Sequence, residues 1–446
     1  MTLFVVPTGL AVFFFLASFA VQRASDARQA RQWGIAIALT ATLGSLIAGA
    51  LQQSTLAEMA NSRFAFSPTG LLSIAPIVTS LVALLSIALA PVQTHRTTTF
   101  VRMLWLFAIA HAFLATSHPL VLAPLWFASS FVAWLELRAR STDVAWHRVF
   151  AYYQGVGALF FTLGAFLMWQ HEMSEIGMLL ILLGIGLREG VIPFHSWFPN
   201  FVERAPMGLV VAFAAPQLGV YANIELLVPD SGVLVHSIAV MGVITAVVAA
   251  FLGVAQTNAR RSIAYLMLSQ TGLVAFGLET TSRVGRIGAI LNWQVLALAT
   301  TGFAMCLALL QARRGELILD SPRGTFAQTP RLAVSYLLLG LASVGLPATL
   351  GFVAEDLIVQ GSVGSFPILG LTLVIATGCN GVTVLRSFFY LFTGSRKKTG
   401  EPDLNRREGA ALTLAIALLL ALGVFPGRLL KMESTSAPST HSVGTP

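Results

Sequence analysis

Apolar residues run through this chain in long blocks, separated at short intervals by clusters of polar and basic residues. A helix needs about 20 apolar residues to cross a bilayer, and by that measure the blocks predict fourteen spans. They lie near residues 3–22, 33–51, 70–91, 103–118, 119–137, 150–169, 176–193, 207–228, 234–256, 263–278, 287–312, 332–360, 366–394 and 409–426. The fourth and fifth are closely joined through Ser117-His118-Pro119. The twelfth is long and interrupted by Gly345-Leu346-Pro347 and by Gly351, and the eighth carries Pro216 and Gln217 at its centre. Proline inside a helix frees a backbone carbonyl, which Gln217 or water can satisfy there. Helices broken in this way are where transporters bind ions. The ten-residue alternation of a membrane strand barrel is absent. The pattern therefore predicts an all-α polytopic membrane protein embedded in the lipid bilayer.

Composition sharpens that picture. A soluble chain of 446 residues would suggest about three domains. Only 10% of these residues are charged and 56% are hydrophobic, where a soluble domain carries about 25% charged side chains. So little charge cannot cover a soluble surface, and the mean hydropathy of +0.79 agrees. Cys306 and Cys379 both sit inside apolar runs, which leaves no disulfide framework and no cysteine metal site. No basic region precedes the first apolar run, so it is expected to be a retained helix rather than a cleaved signal. The small, polar tail 431–446 is expected to be disordered. The chain has no Gly-rich phosphate loop and no nucleophile elbow. Its chemistry is then transport, or it belongs to a partner chain.

The net charge of +8 acquires meaning once the basic residues are assigned to loops. Loops after odd-numbered spans hold 20 of the 27 Lys and Arg residues, and the other side holds five: Arg63, Arg283, Arg286, Arg428 and Lys431. Basic loops stay in the cytoplasm, so both termini are expected on the non-cytoplasmic side of a cell's inner membrane. The charge needs no nucleic-acid partner. Only Arg188 and Arg386 remain inside spans.

An ionisable residue at membrane depth costs several kcal/mol unless it is paired or hydrated, which makes each one a functional candidate. In LLGIGLREGVIPFHSWFPNFVERAP, Arg188 and Glu189 sit in the seventh span, five and four residues before Pro193, with His195 just beyond. A charged pair followed by a proline-broken amphipathic loop suits a hydrated proton path; the alternative is a pair that only snorkels to the interface. In VGLPATLGFVAEDLIVQG, Glu355 and its neighbour Asp356 follow a helix break, a placement suited to proton exchange. The alternative is an ion pair between Glu355 and Arg386. Glu136, near the end of the fifth span beside Arg138, is open between a surface pair and a channel role. Arg260 and Arg261 in TNARRSIAYLMLSQTG are candidate cytoplasmic anchors or loop-motif residues. His111, alone in the fourth span, is expected to be a packing residue.

These fragments also fall in a recognisable order. GIGLREGVIPFHSWFPN resembles the G-x-x-x-K-x-x-x-x-P-x-H-x-W-L-P segment of the antiporter-like membrane subunits of respiratory complex I, and QTNARRSIAYLMLSQTG resembles their Q-x-D-x-K-R-x-x-A-Y-S-x-x-S-x-x-G. GLPATLGFVAEDLI, LRSFFYLFTG and ALGVFPGRLL are similar to three later motifs of the same superfamily, which also includes Mrp cation/proton antiporters, membrane-bound hydrogenase subunits and the membrane subunit of DAB-type inorganic-carbon transporters. The resemblance spans about residues 66 to 430. It implies fourteen helices with two inverted five-helix repeats, each with a broken helix. The expected organisation is then 1–102 for three N-terminal helices, 103–228 for the first repeat broken at Pro216, 234–394 for the second broken at Pro347, and 395–430 for the last helix.

Carried over residue by residue, the resemblance puts Arg188 on the family's helix-seven lysine, Glu355 on its helix-twelve lysine or glutamate, Arg260 on the loop lysine and Asn258 on the loop aspartate. Three departures stand out. Phe127 follows Trp126 where the family has a glutamate, unless Glu136 substitutes from about two turns away. The helix-eight histidine is replaced near Val211 or Ala212, and Asn292-Trp293-Gln294-Val295-Leu296-Ala297 lacks the central lysine. Arginine in place of lysine is also a poor proton relay, since its pKa exceeds about 12. The resemblance implies a proton-translocating subunit of a multisubunit complex with no cofactor of its own. In the DAB form, a soluble, zinc-bearing, carbonic-anhydrase-like partner would convert CO2 to bicarbonate. Redox-linked or Mrp-type antiport is the alternative within the class, and a non-conducting scaffold for a partner enzyme the alternative outside it.

Overall fold

The fold is that of a computed structural model, which describes residues 2–55, 70–140, 144–170, 175–227, 233–280, 282–322, 324–364, 366–394, 400 and 402–427. The tail 431–446 and Arg63 lie outside them. Seventeen α-helices appear among the described residues: α1 (Thr2–Gln22), α2 (Ala27–Thr55), α3 (Ala75–Leu89), α4 (Thr97–Phe113), α5 (Pro119–Arg140), α6 (Val144–Gln170), α7 (Glu175–Glu189), α8 (Trp197–Arg204), α9 (Met207–Ala214), α10 (Leu218–Leu226), α11 (Val233–Ala255), α12 (Ala259–Leu278), α13 (Arg283–Arg314), α14 (Pro330–Ala342), α15 (Leu350–Ser362), α16 (Pro367–Phe392) and α17 (Arg406–Val424).

Each of the fourteen expected spans is met by one helix or by two short ones in series. α9 and α10 together fill the eighth span, with Pro216 and Gln217 between them, and α14 and α15 fill the twelfth across the Gly345–Thr349 turn. A third interruption follows α7, where a cis Ile192-Pro193 bond and a 3₁₀ turn at Phe194–Ser196 lead into the short amphipathic α8. Among the described residues, ten helical stretches are long and apolar enough to cross a membrane, and the described parts of α1, α4 and α14 are shorter apolar helices. α12 is the polar one. It is buried over almost its whole length and carries Ser262, Ser269, Gln270 and Thr271 inside the protein, so its solvent is other helices rather than lipid.

Lipid tails are as apolar as leucine, so membrane helices associate by close packing of small residues rather than by hydrophobic burial. Helices α6 and α7 meet this way. A Cβ added at Gly164 would stand 2.6 Å from the Gly177 carbonyl oxygen, and one at Gly184 2.9 Å from that of Gly157. α11 and α12 repeat the arrangement through Gly242 and Gly272. The more exposed helices carry large apolar side chains outward, among them Phe15 and Leu16 on α1 and Ile368 and Leu371 on α16. His111 is a packing residue: its ring stacks on Phe14, Nδ1 bonds the Phe107 carbonyl (2.7 Å) and Nε2 bonds Ser80 Oγ (3.0 Å).

One buried histidine ties a loop to the broken eighth span. His95, between α3 and α4, donates from Nδ1 to the Pro91 carbonyl (2.9 Å), and its Nε2 accepts the Gly208 N–H at the start of α9 (3.1 Å). Burial pushes its pKa down to about 4. A proton on Nε2 would also face the Gly208 N–H donor. The folded pKa lies below the ordinary 6.5, so the unfolded chain binds more protons between the two values. The stability His95 contributes is complete above about pH 6.5 and is lost as pH falls towards 4.

Two outcomes follow. Gly164→Val lowers stability by about 1–3 kcal/mol in thermal melts of the purified protein, whereas Gly155→Val, where a Cβ meets nothing within 4 Å, leaves it within about 0.5 kcal/mol. His95→Gln flattens the fall in melting temperature between pH 6.5 and 4. An unchanged slope would contradict the His95 assignment.

Candidate functional site

Glu355 lies on α15, 7% exposed, with no cation against it among the described residues. Its Oε1 accepts from Gln270 Nε2 (3.3 Å) and its Oε2 from Thr377 Oγ1 on α16 (3.1 Å). The turn that breaks the twelfth span wraps the carboxylate: a Cβ at Gly345 would stand 2.7 Å from Oε2. Gly345 has φ +77°, so this position needs glycine for its backbone and for the close approach. Ala348 in the same turn also has a positive φ of 71°. Gly351 opens α15 against the backbone of Ala342. Pro347, at the centre of the turn, separates the two half-helices.

The ion pair considered for Glu355 is not formed. Arg386 instead donates to the Val254 and Gln256 carbonyls (2.9 and 2.7 Å), closing the end of α11. Asp356 points away, exposed, and accepts from Gln360 (2.6 Å).

In the first half, Arg188 is 4% exposed and donates through Nη1 to Ser130 Oγ (2.9 Å), which in turn donates to Gln154 Oε1 (3.0 Å). Its guanidinium lies over Phe213 and Trp126, 4.3 and 4.8 Å from the ring centroids. The planar group is clamped by rings and one hydroxyl. Among the described residues, no carboxylate forms an ion pair with it. Glu136 does not substitute for the missing helix-five carboxylate. It is held at the end of α5 by Thr99 (2.6 Å), Arg102 and Arg140 (2.5 Å), while the neighbouring Arg138 lies over the Trp134 ring.

Glu189 turns to the other side. Its Oε1 accepts the Gly219 N–H (2.9 Å) in the first turn of α10, and a Cβ at Gly219 would come within 2.7 Å of it. That turn exists because Gln217 adopts a left-handed conformation, φ +40°. The carbonyl of Pro216 is taken by the Trp293 indole N–H (3.1 Å). Of the two ways open to satisfy the break, Gln217 or water, Gln217 is otherwise engaged: its amide donates to Thr271 Oγ1 (2.9 Å).

A cavity of about 20 Å³, room for a water or two, lies between the halves. Glu189, Gln217, Gln270, Thr271 and Thr300 line it together with apolar residues. Since Gln270 also bonds Glu355, a polar route runs from Glu189 through the cavity and Gln270 to Glu355. Gln270 was not singled out from the sequence. The signal was there, in three consecutive polar residues, Ser269-Gln270-Thr271, inside an otherwise apolar helix.

His195 sits apart from this route, half-buried beside Tyr265, its Nδ1 without a partner. Arg260 and Arg261 act on α8. Arg260 Nη2 donates to the Ala205 carbonyl (2.5 Å), Arg261 pairs with Glu203 (3.3 Å), and Asn258 caps α12 by accepting both backbone N–H groups. The loop motif thus pins the element that follows the break after α7.

The fold and these positions define a class of protein. The family described as NADH:quinone oxidoreductase/Mrp antiporter, transmembrane, matches residues 149–379, just over half of the chain, and the chain belongs to it. Among individual proteins, it is 28% identical over 287 residues to NADH-quinone oxidoreductase subunit N of Methylovorus glucosotrophus (strain SIP3-4), covering 61% of this chain and 58% of that one. It is 25% identical over 276 residues to F(420)H(2) dehydrogenase subunit M of Methanosarcina mazei, covering 59% and 55%. The chain thus spans under two thirds of the length of these relatives.

In fold the likeness is nearly complete. A chain of respiratory complex I from Thermus thermophilus with bound NADH superposes with a TM-score of 0.79 at 20% identity, over 97% of both chains. One of the archaeal membrane-bound sulfane sulfur reductase gives 0.84 at 19%, over 98% and 97%. One of the Mrp complex from Dietzia sp. DQ12-45-1b gives 0.83 at 15%, over 97% and 96%. The chain is a multi-pass membrane protein with the antiporter-like fold.

Arg260→Ala removes a charge-assisted bond to the end of α8, a contact of about 1.5–3 kcal/mol. Amide hydrogen exchange across residues 195–206 should rise in that variant. Arg261→Ala, on a half-exposed pair, should leave it nearly unchanged. Equal effects would contradict the assignment.

Proposed function

We propose that this chain is a proton-translocating, antiporter-like subunit of a multisubunit membrane complex, with Glu355 as the exchanging carboxylate. One observation carries the reading. A carboxylate buried without a cation costs several kcal/mol, yet Glu355 is seated at a helix break by two neutral donors, Gln270 and Thr377. Neutral donors suit a group that gains and loses a proton, whereas a salt bridge would hold it ionised. Protons reach it through hydrated polar side chains, and Arg188 is a fixed charge that biases Glu189 beside it. The relatives and structural neighbours named above support the assignment to a complex with other subunits as partners. The basic loops support an inner-membrane location with both termini outside the cytoplasm.

The finer form of this reading is a role in energising CO2 or bicarbonate uptake beside a soluble, zinc-bearing, carbonic-anhydrase-like partner. It is favoured by the departures from the redox-pump pattern: Arg188 for lysine, Phe127 after Trp126, and no lysine in 292–297. Redox-linked pumping and Mrp-type antiport keep the same site and change only the partner. A non-conducting scaffold is favoured by the absence of an acidic partner for Arg188, and opposed by the cost of keeping Glu355.

Glu355→Gln, assembled with its partner subunits in proteoliposomes, should lose proton flux by about 10²-fold or more while assembly is unchanged. Wild-type flux in that variant would contradict the assignment to Glu355, and a wild-type complex that carries no proton flux would favour the scaffold reading.

A further inference from the structure

Gln270 is 1% exposed, and its two amide ends have different surroundings. The NH₂ donates to Glu355 Oε1, while among the described residues the oxygen has no hydrogen-bond partner. The oxygen of Gln217, across the same cavity, is likewise without a partner. The orientation of Gln217 is fixed by its neighbour: Thr271 Oγ1 spends its proton on the Met267 carbonyl (3.0 Å), so it can only accept from the Gln217 NH₂. Two acceptor oxygens are thus left over on residues lining a cavity with room for a water or two, and Glu189 lines it too. Buried acceptors of this kind are costly when nothing donates to them, because the solvation they lose is not replaced. A water molecule supplies two donors.

We propose that this cavity holds ordered water and that Gln270 is a positioning residue that sets the charge states of Glu189 and Glu355 in opposition. The proposal rests on the reading that Glu355 exchanges protons. When Glu355 is ionised, the Gln270 NH₂ faces it and the amide oxygen faces the water. That water then donates to Gln270 and turns its lone pairs towards Glu189, which keeps the Glu189 proton. When Glu355 takes up a proton, its O–H becomes a donor and opposes the NH₂. The amide turns over, accepts from Glu355, and directs its NH₂ at the water. The water now accepts from Gln270 and donates to Glu189, which favours ionised Glu189. No bond to carbon changes, and the proton lost by one carboxyl passes to water before the other takes one up. Arg188 does not perform this function: its guanidinium is held by Ser130, Trp126 and Phe213, and among the described residues it is Glu189, not Arg188, that lines the cavity.

The test follows the protonated-carboxyl stretch of Glu355 by infrared difference spectroscopy on the assembled complex, with Glu355→Gln assigning the band. In the wild-type background, Glu189→Gln should shift the pH midpoint of that band. In a Gln270→Met background, of similar size without the amide, the same substitution should shift it by less than a third as much, and proton flux should fall at least fivefold. Gln270→His, which keeps one donor and one acceptor, should restore at least half of the shift. An unreduced shift in Gln270→Met, no shift in the wild type, or a His variant that assembles yet stays uncoupled would each overturn the proposal. Full flux in Glu355→Gln would instead overturn the proton-exchange reading on which it rests.

Discussion

A carboxyl group taken out of water must keep a proton, find a cation or be solvated by fixed dipoles, and the interior of this protein is arranged around how that choice falls. Glu136, Glu203 and Glu408 take the cation. Each pairs with arginine near the helix ends: Glu136 with Arg102 and Arg140, Glu203 with Arg261, Glu408 with Arg313. Glu189 and Glu355 do not. Each rests against a glycine at an interrupted helix, Gly219 or Gly345, and among the described residues meets only neutral donors. The first set fastens helices together. The second is left without a salt bridge that would hold it ionised.

Helix breaks make the second arrangement possible. A continuous helix spends its backbone N–H groups on itself. An interrupted one leaves N–H groups at its new start, where negative charge is favoured, and this is where Glu189 finds the Gly219 amide. The broken backbone must still be satisfied inside the bilayer. Trp293 does this for Pro216, and the strained φ of Gln217 and Ala348 is tolerated because the surrounding helices fix both turns. Gln270, on the buried and polar α12, then lies within reach of both halves. The same glycine contacts that bring α11 and α12 together hold that helix in place.

Much of this was legible in the sequence. Each of the fourteen apolar blocks is met by one helix or by two in series, because lipid imposes a length on every span. Prolines at 216 and 347 marked two of the breaks because the lost N–H is a local chemical fact. Glu355 and Glu189 stood out because charge inside an apolar run is costly. What the sequence could not tell was pairing across space. Arg386 was near enough in spacing to claim Glu355 but is turned towards α11, and Glu136 was two turns from an expected position but is anchored by Arg102 and Arg140. Gln270 escaped notice because a neutral amide is inexpensive in a helix and is informative only beside its two carboxylates.

The central claim is that Glu355 takes up and releases a proton from within the apolar interior. Dicyclohexylcarbodiimide tests it most directly, since it reacts with protonated carboxyls in apolar surroundings. Labelling of the assembled complex, followed by peptide mass spectrometry and proton flux on the same samples, should find Glu355 modified in step with the loss of flux. Flux that survives complete modification of Glu355, or disappears while Glu355 stays unmodified, would contradict the account.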